Sequence, residues 1–328
     1  MRTVSMNPAQ SSAPAGSKLA VIGAGAVGSS VAYAALLRGT ARTIALYDLK
    51  TEKVNAEILD LAHGSPLASG ARTIGGDDIT CVRGADVVVI TAGAAQKPGQ
   101  TRLDLAGTNV GILRSLMPQL LEQAPDAVYV LVTNPCDVLT VAALQISGLP
   151  AGRVLSSGTV LDTSRLRNLL SWETGISARS IHATIVGEHG DSEFGLWSSA
   201  TIGQMPLRDF PGPDGTPMYT AERLDALGRD VANAAYTVIQ GKGATNLAIG
   251  VSGARIVEAI LGDERAVLPV SSLLEGVHGI DGVAMSLPSI VGRNGVMGRL
   301  DVPMDDHELE RLHASADALR TVQESLGL

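Results

Sequence analysis

Between Lys18 and Asp48 the chain reads as strand, glycine-rich turn, helix and second strand, an order that few folds share. Lys18–Ile22 is a short apolar run that opens into Gly23-Ala24-Gly25-Ala26-Val27-Gly28. Ser29–Arg38 then has helical periodicity and stops at Gly39, a natural C-terminal cap. Thr43–Tyr47 is the next strand and ends at Asp48, twenty residues beyond Gly28. A GxGxxG in a chain with 37 glycines carries little by itself. Placed between strand and helix, with an acidic residue closing the second strand, it marks a dinucleotide-binding unit. Gly23 makes the tight turn, Gly25 lets the backbone approach a pyrophosphate, and Gly28 allows helix to pack close on strand. The helix N-terminus offers free N–H groups to the phosphates. Asp48 would accept hydrogen bonds from the adenosine ribose and repel a 2′-phosphate, which selects NAD over NADP.

Further along, Glu52–Ala62 is helical in pattern, and Asp86–Thr91 and Ala127–Thr133 are almost continuous apolar runs of strand length. Such runs suit parallel strands buried on both faces. Asp104–Ala124 reads as a helix kinked or broken at Pro118. Strands alternating with helices predict an α/β fold, an open doubly wound parallel sheet of Rossmann type. The second half reads as mixed α+β. Helices are expected at Thr159–Trp172, near Glu222–Gln240, at Thr245–Leu261 and from Asp306 onward. Strands are expected around Ile181–Val186 and between Ala266 and Leu300, with a Pro/Gly-rich loop at Phe210–Pro217. The expected organisation is a disordered tail at 1–16, an NAD-binding domain at 17–157 and a substrate domain at 158–328.

Hydrophobic residues make up 45% of the chain but aromatics only 3%, so Val, Ile, Leu and Ala must fill the core. The net charge of −8, with no basic block, argues against nucleic acid and anionic membranes as partners. Two cysteines, Cys81 and Cys136, make no disulfide framework and fit a reducing compartment. Met1–Gly16 lacks the apolar core of a signal sequence, and the apolar runs are too short to span a bilayer, so a cytoplasmic location is expected. No HExxH or paired Cys/His spacing occurs, and no metal site is expected.

Val186-Gly187-Glu188-His189-Gly190-Asp191-Ser192 carries one of six histidines, flanked by glycines at a strand end. A lone histidine is more often structural than catalytic, and here the wider pattern decides. GEHGD at 187–191 occurs with DLAHG at 60–64, TAGAAQKPGQTRLDL at 91–105, VTNPCDV at 132–138, LDTSRLR at 161–167 and KGATNLAIG at 242–250. In that order, these segments resemble the lactate/malate dehydrogenase family from Leu19 on.

The resemblance implies a role for each residue. His189 would exchange the proton of the substrate hydroxyl, since imidazole can titrate near the operating pH. Asp162 would hydrogen-bond the other ring nitrogen and fix the tautomer. Arg165, one helical turn on, would grip the substrate carboxylate with its two-pronged guanidinium. Asn134 would hydrogen-bond the substrate oxygen. Arg102, in a lid with Lys97, Pro98, Gly99 and Gln100, would polarise the carbonyl when the lid closes. Val27, Lys53, Gly93, Ala94, Val132, Asn134 and Ser157 match positions near the cofactor. Asp60 and His63 lie on a different helix and read as structural.

Gln96, six residues before Arg102, holds the place where malate-type relatives carry an arginine for a second carboxylate. A neutral amide cannot balance that charge, and Thr245 also fits a small methyl, so pyruvate and L-lactate are favoured. Malate and other short 2-hydroxy acids remain as alternatives. A non-catalytic NAD-binding redox sensor would be expected to lack the histidine, the aspartate or the arginines, and all are present. Gln100 stands where many relatives have glutamate, and Cys136 where many have valine. Arg167 and His182 match the positions that bind fructose 1,6-bisphosphate in regulated bacterial members, which implies an allosteric homotetramer. His182 is expected to begin the strand that runs to His189.

Overall fold

The computed structural model describes Pro14 and residues 16–94 and 102–328. Most of the expected tail, and the segment 95–101 that carries Gln96, Lys97, Pro98, Gly99 and Gln100, lie outside the described residues. The first half runs β1 (Lys18–Ile22), α1 (Ala26–Arg38), β2 (Thr43–Tyr47), α2 (Thr51–Gly64), β3 (Arg72–Gly76) and β4 (Val87–Ile90). It continues with α3 (Arg102–Gln123), β5 (Val128–Leu131), α4 (Cys136–Ser147), β6 (Val154–Ser156) and α5 (Val160–Thr174). Short strands follow: β7 (Ile181–His182), β8 (Ile185–Val186), β9 (Phe194–Gly195), β10 (Thr201–Ile202) and β11 (Met205–Pro206). Two long helices, α6 (Ala221–Lys242) and α7 (Leu247–Leu261), come next. Then come β12 (Ala266–Leu268), β13 (Ser271–Leu273), β14 (Ala284–Ser286), β15 (Ser289–Gly292), β16 (Gly295–Arg299) and α8 (Asp306–Ser325).

The main sheet has the order β14-β13-β6-β5-β4-β1-β2-β3. β1 to β6 pair in parallel, as continuous apolar runs buried on both sides require. Leu19, Val21, Val87, Val89, Val128 and Val130 face one layer, where α1 and α7 pack. Ala20, Ile22, Val88, Ile90, Tyr129 and Leu131 face the other, under α3 and α4. Each fully buried Val, Leu or Ile stabilises the fold by about 1.5–3 kcal/mol. Aliphatic side chains do fill both layers, as the scarcity of aromatics requires.

The second half is not a separate layer. β13 and β14 extend the main sheet antiparallel from β6, and α7 lies along α1. That helix contact is close because Gly250 of the KGATNLAIG segment meets Ser30, where a Cβ would stand 2.6 Å from the serine Cβ. The remaining strands form small antiparallel sheets beside it.

One expectation is narrowed and one corrected. The helix α3 runs through Pro118 without a break, which removes one of the two outcomes expected there. Pro118 and Arg114, four residues before it, are both exposed, so the carbonyl that loses its partner can meet water. The chain from His182 to His189 is not one strand: β7 pairs with β10, and β8 pairs with β9. Side chains of α5 interrupt the ladder between them. Arg167 Nε donates to the Ala183 carbonyl at 2.9 Å, and the Ile185 N–H donates to Thr163 Oγ1 at 2.9 Å.

Candidate active site

The parallel sheet changes direction between β1 and β4, and ligands of such sheets bind at the carboxyl ends of the strands beside that point. Gly23–Gly28 follow β1, Asp48 follows β2, Gly93 and Ala94 follow β4, Val132 and Asn134 follow β5, and Ser157 follows β6. The topology thus gathers most of the expected cofactor residues along one edge. Gly23 has φ of +104°, which a side chain would strain, and a Cβ on Gly28 would lie 1.8 Å from the Gly23 carbonyl oxygen. A Cβ on Gly25 would meet nothing within 4 Å. Gly25 caps α1 with no side-chain hydrogen bond and no acidic residue in the first turn, leaving the helix N–H groups for an anion. Asp48 accepts from the Ala24 N–H at 2.7 Å and from the Lys50 N–H at 3.0 Å, tying the glycine turn to the end of β2. These residues fit a dinucleotide.

Asn109 of α3, buried and not singled out in the sequence, joins two of these loops. Its Oδ1 accepts from the Ala94 N–H and its Nδ2 donates to the Asn134 carbonyl, both at 2.8 Å. Val27 is half-buried in α1 beside this edge. Lys53 is exposed in the first turn of α2, and Thr245 is half-buried between α6 and α7. Neither is tied by a hydrogen bond to the other site groups among the described residues. Arg102 is the first residue of α3, directly after the segment that lies outside description.

His189, Asp162 and Arg165 come together. Asp162 sits in the first turn of α5, 1% exposed, and Oδ2 lies 2.7 Å from His189 Nδ1 while Oδ1 accepts from Arg165 Nη1 at 2.5 Å. Burial opposes ionisation of Asp162, but His189 and then Arg165 hold its carboxyl below the usual range. An ionised Asp162 can only accept, so Nδ1 carries the hydrogen and Nε2 is the nitrogen left to exchange a proton. Burial would lower the imidazole, yet Asp162, Glu193 and Asp137 together carry it up to about 9.

The loop that bears His189 is fixed from three sides. Gly187 exchanges two main-chain hydrogen bonds with Ser286 of β14, at 3.0 and 2.9 Å. The His189 N–H donates to Asp137 Oδ2 of α4 at 2.7 Å. From α8, Ser315 Oγ accepts from the Glu188 N–H at 2.8 Å, and Arg311 donates to the Glu193 carbonyl at 3.2 Å. Glu308 caps the start of α8 and also accepts from the Trp197 and Ser198 N–H groups at 2.6 and 2.9 Å.

Asp137 and Glu193 are the ionisable residues that sequence reasoning missed. Burial pushes Asp137 up to about 6, and burial with the Asp162 charge pushes Glu193 up to about 8. Both had a signal: Asp137 lies inside the VTNPCDV segment, and Glu193 follows His189 by four residues. Cys136, at the same helix start, is fully buried, which raises its thiol well above the ordinary value. Asp162, His189 and Glu193 offer ligand-type atoms within 4.8 Å of one another. Nδ1 and Asp162 Oδ2 are engaged with each other, so the cluster reads as proton-handling rather than as a cation cage. Arg167 reaches the carbonyl of Ala183, the residue that follows exposed His182 in the chain.

The NAD binding domain of the lactate/malate dehydrogenases matches residues 17–156, and the α/β C-terminal domain of the same family matches residues 159–326. An L-lactate dehydrogenase of Bifidobacterium animalis subsp. lactis is 51% identical over 94% of this chain and 97% of its own length. One from Thermoanaerobacterium saccharolyticum is 47% identical over 95% of this chain and 100% of its own. The crystal structure of a minor L-lactate dehydrogenase from Enterococcus mundtii superimposes with a TM-score of 0.90 at 39% identity, covering 94% of this chain and 98% of that one.

Proposed function

The chain is an NAD-dependent enzyme of the lactate/malate dehydrogenase family, and from that premise we propose that it interconverts pyruvate and L-lactate. The observation that carries this reading is one buried carboxylate, Asp162, bonded to both an imidazole and a guanidinium. It orients His189 for the substrate oxygen and Arg165 for the substrate carboxylate, so a 2-hydroxy or 2-oxo acid spans the two. NAD supplies the hydride acceptor or donor when bound in the Gly23–Gly28 and Asp48 edge. In reduction His189 gives its proton to the forming alkoxide, and in oxidation it takes the hydroxyl proton. Asn134 orients the oxygen, and Arg102 polarises the carbonyl. Thr245 suits a small methyl, and Gln96, a neutral amide, offers no charge to a second carboxylate. The direct test is NADH oxidation with pyruvate in the purified protein, and absence of turnover would refute it.

Asp48 enforces the choice of cofactor in this reading. The ratio of kcat/KM for NADH to that for NADPH is expected to favour NADH, and Asp48→Ala to narrow it about tenfold, the equivalent of about 1.4 kcal/mol. Indifference of the unmutated enzyme to the extra phosphate would sink the ribose role.

The enzyme works in the cytoplasm as a homotetramer activated by fructose 1,6-bisphosphate. The support is the meeting of Arg167 with the main chain beside His182. A two-fold axis would bring two such pairs together as a basic site on an acidic protein. Like charges there would loosen the interface, and a bisphosphate would neutralise them, which is a differential interaction between two states. Arg167 also leans on the loop that leads to His189, so the two sites share a segment. The effector is expected to lower the pyruvate concentration for half-saturation about fivefold or more, the lower end of the range typical of such couplings. Arg167→Gln should remove the response while leaving turnover at saturating pyruvate. An unchanged wild-type saturation curve would end the idea. No helix among the described residues is long and apolar enough to cross a membrane.

A further inference from the structure

Glu193 has no part in the chemistry above, yet it is buried where charge is costly. Its side chain is 3% exposed, and Oε2 lies 3.9 Å from His189 Nδ1. Oε1 is buried with no hydrogen-bond partner among the described residues. An ionised carboxylate with an oxygen left without a donor is a poor occupant of a protein interior, whereas a neutral carboxyl is tolerated there.

Counting charge gives the same answer. If all groups were ionised, Asp137, Asp162 and Glu193 would set three negative charges against the two positive charges of His189 and Arg165. A substrate carboxylate would then add a fourth. The charged groups facing Glu193 are Asp162 and Arg165 from α5, Asp137 from α4 and His189 from its own loop. On its main-chain side stands Arg311 of α8, which Asp225 of α6 faces in turn. Of the groups facing the carboxyl, only His189 and Arg165 draw it toward ionisation. A substrate carboxylate paired with Arg165 offsets the Arg165 part of that pull, the smaller of the two.

We propose that Glu193 is the charge-balancing residue of the substrate site, carried as a neutral acid whenever a 2-oxo-acid carboxylate sits on Arg165. The inference rests on the reading of His189 and Arg165 as the substrate-binding pair. Substrate binding and protonation of Glu193 are then linked, each favouring the other. Above the pH at which the free carboxyl ionises, near 8, binding takes up a proton from solvent at this position. Neutral Glu193 also frees His189 to release its own proton, because an ionised Glu193 would hold it on the ring. Glu193 is thus a positioning residue, acting on proton affinity through its neighbours rather than by touching substrate.

Oxamate, the amide isostere of a 2-oxo acid, tests this when titrated into the enzyme–NADH complex by quenching of NADH fluorescence. In the unmutated enzyme the Kd for oxamate is expected to rise above about pH 8, and to steepen toward about 100-fold per pH unit when both Glu193 and His189 must gain a proton. Glu193→Gln holds the neutral form permanently. Its Kd should stay level to a higher pH and then rise only about tenfold per unit, the slope of one proton. Proton uptake followed with an indicator dye near pH 9.5 should exceed one per site in the wild type and not in the variant. Equal slopes and equal uptake in the two proteins would overturn the proposal while leaving the substrate reading intact. Failure of oxamate to bind at any pH would overturn both. Should Glu193→Gln not fold, wild-type uptake decides: one proton or fewer refutes, more than one supports.

Discussion

Replacing His189 with asparagine is expected to slow pyruvate reduction by about 10²–10⁴-fold while NADH still binds. In the proposed reading the proton leaves or arrives at His189, in the loop between β8 and β9, whereas the cofactor would be held by the turn after β1 and by Asp48 at the end of β2, both in the main sheet. The sign of the pH dependence follows from the imidazole, carried up to about 9 by Asp162 and its other acidic neighbours against the effect of burial. Reduction needs the protonated ring and a neutral Glu193, so kcat/KM for pyruvate should be level below about pH 8 and begin to fall there as Glu193 ionises. It should fall more steeply past about pH 9, as the ring loses its proton. Oxidation of L-lactate needs the neutral ring and should rise toward the same pH. The asparagine variant should lose the part of each trend set by the imidazole and keep only the binding trend tied to Glu193. Stopped-flow turnover with NADH fluorescence titration checks it, and near-normal activity in the variant would show His189 to be structural.

The second large effect concerns the side chain of the substrate. Pyruvate is expected to be reduced with a kcat/KM at least about 100-fold above that for oxaloacetate, since an unmatched buried charge costs a few kcal/mol and about 1.4 kcal/mol is tenfold. Gln96→Arg should move the preference toward oxaloacetate by supplying the missing positive charge. Steady-state kinetics with the two acids measure it directly, and equal efficiency in the unmutated enzyme would remove the argument. The claim rests on charge alone, because Gln96 lies outside the described residues.

What the sequence revealed and what it concealed divide along a physical line. β1 and β2 have the bounds read from their apolar runs, and α1 stops at Gly39 with φ of 64°, because strand periodicity and a left-handed cap are local properties. That His189, Asp162 and Arg165 belong to one site was legible through the segments that carry them, and the three do meet. The addition of β13 and β14 to the main sheet was not, since their partner β6 lies more than a hundred residues earlier. The break between β7 and β8 depends on Arg167 and Thr163 reaching across from another helix, which no periodicity records. Glu193 carries no local mark of its role, because what sets it apart is its burial against Asp162 and His189, which only the fold supplies.

The clasp of α8 on the catalytic loop has a consequence in time. Ser315, Arg311 and Glu308 lie 127, 118 and 111 residues beyond the loop groups they hold. A ribosome adding about 5–20 residues per second therefore makes His189 on the order of 10 s before the helix that fixes its loop exists. During that interval the nucleotide edge, built from β1 to β6, can already form. A nascent chain should gain affinity for NADH first and catalytic competence only after α8 emerges, so the two properties would appear in sequence on arrested chains of increasing length.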